Sequence, residues 1–199
     1  MMNKPKPITI AVITLLIGTL TACSTSPAPR FYIIEPTSKS AGMQTNKDLI
    51  IAVGQVKLPA HLDRKEIVTY DQRNRVNLAE FDRWAEPLNE NITNVLAENL
   101  SELIPSDQVH AYPWDVAPNF DYTVWVRVIT FGESPDGEIV LSTSWMIHNA
   151  SDTPVKYMKT RYSASRQGDD MVARVAAMSQ TIEQLSRDIA TALVAASAK

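Results

Sequence analysis

Apolar residues recur along this chain with more than one period, and the periods divide it into elements. Between Glu86 and Pro105 they fall at Leu88, Ile92, Val95, Leu96, Leu100 and Leu103, the three- and four-residue steps of one helical stripe. Pro87 suits a first helical position, Glu86 and Glu90 suit the positive end of the helix dipole, and Pro105 stops the run. A second stripe of Val175, Met178, Ile182, Leu185, Ile189 and Leu193 predicts a long closing helix reaching about Val194, opened by Asp169 and Asp170. Strand patterns fill the rest. RFYII at 30–34 reads as a first strand, and LIIAVGQVKL at 49–58 is apolar on both phases, as in a strand covered on both faces. Residues 65–80 read as two strands around a polar turn at Gln72–Asn74, and QVHAYP as a short strand. Residues 120–131 and 137–149 flank Pro135-Asp136-Gly137 as a long hairpin, and 155–165 follow the Asp152–Pro154 turn as a third meandering strand. Residues 37–48 and WDVAPN are loop-like, and no repeat is present. About seven strands and two main amphipathic helices, with strands on both sides of a helix, predict an α/β (or α+β) single domain, a mixed sheet carrying the helices. Strand order stays open.

The first 22 residues follow a different rule. Lys4 and Lys6 precede an uncharged apolar run from Ile8 to Leu20, shorter than the roughly 20 residues a membrane-crossing helix needs. A basic start, a short apolar centre and small residues before a boundary describe a secretory signal peptide. Leu20-Thr21-Ala22-Cys23 resembles the bacterial lipobox. The resemblance implies cleavage of residues 1–22, a diacylglycerol thioether on Cys23, and a further acyl chain on its new amino group. A lone cysteine is more often a small buried hydrophobe or a free thiol, but neither accounts for its place at that boundary. Ser24 stands where an inner-membrane retention signal has Asp, so analogy with enterobacterial sorting places the lipoprotein on the periplasmic face of the outer membrane. Residues 23–29 form a short tether to a domain spanning 30–199. Its seven steps from Cys23 to Arg30 cover at most about 25 Å, and Pro27 and Pro29 stiffen it.

Composition narrows the function classes. Loss of the leader leaves 177 of 199 residues, enough for one ordinary core, and removes two lysines, moving the formal charge from −3 to −5. That balance argues against nucleic-acid binding, which needs a basic face. With Cys23 acylated, no disulfide or thiol chemistry remains.

The search for chemistry finds no active site. There is no G-x-S-x-G or S-x-x-K nucleophile, and the five glycines left after cleavage form no phosphate-binding loop. His61, His110 and His148 are scattered without metal-ligand spacing. Asp169-Asp170 reads as a helix cap before an acid–base pair, and Trp125 and Trp145, inside predicted strands, as core packing before a lipid groove. Asn91-Ile-Thr and Asn149-Ala-Ser match glycosylation sequons, which carry little weight behind a lipobox. No enzyme, metal or cofactor beyond the covalent lipid is expected.

RFYIIEP after the lipobox, the stretch from Val53 to Leu100, and the closing helix together resemble the ABC-type transport auxiliary lipoproteins. The most specific parts are L-P-x-x-L-D-R-x-x-I-V at 58–68 and R-W-A-E-P-L at 83–88. The resemblance implies an outer-membrane subunit of an envelope lipid-transport system. It would accompany an MCE-domain protein of the inner membrane, dock that protein's periplasm-spanning extension, and assemble as a homo-oligomeric ring. The proline-containing loop LPAHLDR, with Leu58, Pro59, Leu62 and Arg64, is the expected docking segment, because loops exposing arginine and apolar side chains often bind. The plainer reading has Leu58 and Leu62 covering a sheet edge and Arg64 in a surface ion pair. The alternative function is regulation of a peptidoglycan synthase, against which the short tether counts.

Overall fold

The computed structural model describes residues 27–39, 43, 49–72, 75–104, 106–114 and 119–198. The leader, Cys23 and the start of the tether lie outside them. The described residues form eight strands and two helices, in chain order β1 (Arg30–Tyr32), β2 (Ile51–Val53), β3 (Glu66–Gln72), β4 (Arg75–Trp84), α1 (Leu88–Leu103), β5 (Val109–Ala111), β6 (Tyr122–Glu133), β7 (Glu138–Asn149), β8 (Pro154–Ser165) and α2 (Met171–Ser197).

The strands divide between two sheets. A five-stranded sheet has the order β5-β2-β6-β7-β8, parallel on either side of β2 and antiparallel from β6 to β8. A three-stranded sheet has the order β1-β4-β3, with β1 parallel to β4. The expected apolar strand at 49–58 is the three residues of β2, all buried and paired on both sides, after which the chain leaves the ladder at Gly54 and rejoins β6 where Lys57 faces Arg127.

Both helices cover one face of the large sheet, α1 against β2 and β5, and α2 across β6, β7 and β8. Every residue of both predicted stripes is buried. Pro87 sits at the N-cap position of α1 and makes no side-chain cap, whereas Asp170 caps α2 by accepting from the Ala173 amide at 2.7 Å. Asp169 turns instead to Arg166.

Register assigns the two sides of the sheet. Val126 faces Trp145, which faces Met158, and Phe131 faces Leu141, which faces Tyr162. This set meets the helices: Trp145 is buried and donates to Thr160 Oγ1, and Tyr162 donates to Asp188 of α2 at 2.8 Å. Trp125 lies in the opposite phase, half-buried, with its ring closed over Gly54, where a Cβ would collide with it. Gly132, at φ 152°, lies under the Tyr70 ring, so β3 of the small sheet rests on that same face.

Burial pushes the Tyr162 phenol up to about 12. A phenol raised in this way supports the fold fully below its unfolded pKa, near 10, and loses that support as pH climbs towards 12. Burial also raises Tyr70 and Tyr32, the latter helped by its bond to Asp82. The urea midpoint is therefore expected to fall above about pH 10, and Tyr162→Phe to make that fall shallower without abolishing it. Parallel falls in the two proteins would show that Tyr162 takes no part.

Candidate anchoring and docking site

The domain begins with alternation. In β1 the even positions share the face of Asp82: Arg30, itself exposed, grips Asp82 with two bonds of 2.8 and 3.0 Å, and Tyr32 donates to the same carboxylate at 2.9 Å. Asp82 is nearly buried, so the bidentate pair is well placed to hold the strand. Ile34, next in phase, is buried. The odd positions turn outward and are apolar: Phe31 is 62% exposed and Ile33 43%.

Beyond Ile34 the chain runs extended along the two helices, bound by their side chains. Asn91 of α1 accepts from the Ile34 amide and donates to the Ile34 carbonyl, at 2.8 and 3.1 Å. Ser179 of α2 accepts from the Glu35 amide. Asn99 accepts from the amides of Thr37 and Ser38 while donating to Ser186 of α2. Asn91 and Asn99 are eight helical residues apart, about 12 Å of rise, and an extended chain covers that distance in about four residues. Residues 34–38 therefore form a strap in step with α1. Two buried amides serve a segment that has no strand partner there, as buried backbone groups require.

β1 and the LPAHLDR loop meet at one groove. Leu58 and Pro59 are half-buried, with Leu58 packed against the core. The Leu62 amide donates to the Pro59 carbonyl at 2.9 Å, a tight turn that swings Leu62 inward to 3% exposure. The expectation of an exposed apolar surface at Leu62 is thus corrected: its side chain is core. Arg64, next past the turn, is exposed, and among the described residues it has no ion-pair partner. It lines a groove of about 330 Å³ with Phe31, Lys65, Trp84 and Pro87. Asp63 and Glu86 line the groove too, so its charge is nearly balanced. The four residues of the docking segment therefore do not share one surface. Arg64 faces the groove, and Leu62 holds the loop from beneath.

Sequence reasoning missed a second surface. On the sheet face away from the helices, Lys57 faces Arg127, Arg127 faces Ser144, Ser144 faces Lys159, and Arg161 follows on β8. None of these four cations has an ion-pair partner among the described residues, although the protein is acidic overall. The signal lay in the alternation of β8, where Tyr162 and Ala164 mark the inward phase and leave 157, 159 and 161 outward.

No group of three or more potential ligands among the described residues could hold a metal ion, and no described helix is long and apolar enough to cross a membrane.

Comparison with known proteins is consistent across the domain. Residues 32–190 match the family of ABC-type transport auxiliary lipoprotein components. The intermembrane transport lipoprotein PqiC of Escherichia coli (strain K12) is 23% identical over 184 residues, covering 89% of this chain and 96% of the relative, and that of Shigella flexneri matches equally. Two crystal structures share the fold. A Xanthomonas campestris protein superposes with a TM-score of 0.70 at 13% identity, over 83% of this chain and 95% of its own. An uncharacterized protein superposes with 0.68 at 20% identity, over 84% and 99%.

Proposed function

Because the chain belongs to the family of ABC-type transport auxiliary lipoprotein components, we propose that it is the outer-membrane subunit of an MCE-type envelope lipid-transport system. In this reading Cys23 carries the lipid, residues 23–29 are the tether, and the domain from residue 30 docks the periplasm-spanning MCE protein where it meets the outer membrane. The observation that carries the reading is the family match over 32–190, which covers nearly all of the domain and follows a stretch at 20–23 that resembles a lipobox. The role of PqiC in intermembrane transport, stated in its name, agrees with it.

Docking is assigned to the loop at Leu58, Pro59 and Arg64, with Leu62 as its buried support. Arg64 carries the recognition, because an exposed guanidinium with no ion-pair partner among the described residues can take a carboxylate or carbonyl of the partner with two donors. A homo-oligomeric ring of such domains would repeat this loop around the end of the partner. The chain's own part is binding, not catalysis.

Crosslinking in intact cells, followed by detergent extraction and mass spectrometry, tests the reading. Recovery of an MCE-domain protein is the expected result, and Arg64→Glu should reduce that recovery about tenfold or more, as for a central interface arginine. Recovery of a peptidoglycan synthase without any transport component would replace this function with the regulatory one.

A further inference from the structure

We propose that Phe31 in β1 and Ile33 just past its end form a membrane seat: the two side chains enter the lipid interface and fix the orientation of the domain on the bilayer that Cys23 anchors. The proposal rests on the lipidation of Cys23 and goes beyond it, because a tether alone leaves orientation free.

Three observations point to lipid as the occupant. Phe31 is eight residue steps from Cys23, at most about 28 Å, so the chain outside the described residues ends beside this patch. The patch is apolar by phase, since Arg30 and Tyr32 reach to Asp82 on the opposite face of the strand and Ile34 is buried, which leaves Phe31 and Ile33 as the outward pair. Phe beside basic side chains is also the chemistry of an interfacial membrane contact, and Arg64 and Lys65 line the groove with Phe31. Asp63 and Glu86 offset those cations, so seating should depend little on salt or on anionic lipid.

The seat also defines a far end. The strap holds Glu35 at Ser179, and α2 continues from there to Ser197, about 27 Å further. Its last turns line a cleft with Asn149, beside the β7–β8 turn that contains Ser151. With Phe31 and Ile33 on the bilayer, that turn points away from it.

The acylated full-length protein offers a direct test, because Cys23 is its only cysteine and is blocked by lipid. Ile33→Cys and, separately, Ser151→Cys are labelled with an environment-sensitive fluorophore in vesicles of phosphatidylethanolamine and phosphatidylglycerol containing doxyl-labelled lipid. Both positions are exposed, so neither substitution should shift the urea midpoint. The expected result is quenching at position 33 several-fold above that at position 151, unchanged by high salt and reduced by Phe31→Ser. Equal, weak quenching at both positions of an acylated protein overturns the seat alone. A label at 33 that lipid does not quench, yet is hidden from aqueous iodide, means that protein covers the patch, and also overturns it. A protein whose mass shows no acylation of Cys23 overturns both the seat and the lipoprotein reading beneath it.

Discussion

Replacing both strap asparagines, Asn91→Ala with Asn99→Ala, is expected to cost about 4 kcal/mol of folding stability. The pair is buried, with Asn99 fully enclosed, and together they bond the amide and carbonyl of Ile34, the amides of Thr37 and Ser38, and the Ser186 hydroxyl. Removing one partner of a buried hydrogen bond leaves the other unsatisfied, at about 1–3 kcal/mol per group. Thr37 is exposed and its amide can turn to water, which leaves four groups and puts the expected loss at the lower end of that range, about 4 kcal/mol. A domain of this kind is stable by roughly 5–15 kcal/mol in all, so the loss is a large share of it. Urea unfolding measures the shift, and limited proteolysis should cut within 34–38 before the rest of the chain. Asn94→Ala, on the exposed side of the same helix, should change stability by less than about 0.5 kcal/mol. Equal effects of the double variant and this control would show that the strap contributes nothing.

Cys23→Ala should move the protein entirely from the membrane fraction to the soluble one, with the urea midpoint of the domain unchanged. Each buried methylene of an acyl chain contributes about 0.8 kcal/mol, and stable anchoring takes more than one chain. The seat cannot substitute for it. Phe31 and Ile33 offer less apolar surface than a single myristoyl chain, which itself binds only reversibly. Fractionation of the variant like the wild type would mean that something other than Cys23 holds the protein.

The periodic parts of the fold were legible in the sequence. Both helices lie where their stripes place them because a sixteen- or twenty-seven-residue amphipathic pattern has one way to bury its apolar side. The hairpin of β6 and β7 was legible from Pro135-Asp136-Gly137. The division into two sheets was not, because it depends on pairings such as Arg30 with Asp82 that span 52 residues and leave no local period. The candidate site was legible only in part. Arg64 reads as exposed and is exposed, but Leu62 reads the same way and is core, since the turn closed by Pro59 decides its direction. Asn91 looked like a sequon and is instead a buried clamp. An asparagine among helical polar positions carries no mark that a backbone segment fifty-seven residues away will need its amide.

The strap determines how the protein bears load. In the proposed lipoprotein, a lipid in the bilayer and a body held elsewhere would pull on opposite ends of residues 30–38, and any separation of the two would become tension along that segment. Because the strap keeps step with α1, its bonds to Asn91, Ser179 and Asn99 share the force as a lap joint in shear, in place of parting one after another like a zipper. The Arg30–Asp82 pair, first in line, takes up slack before the joint is strained. The amino-terminal end of this domain is therefore built as a mooring, and the two asparagines are its cleats.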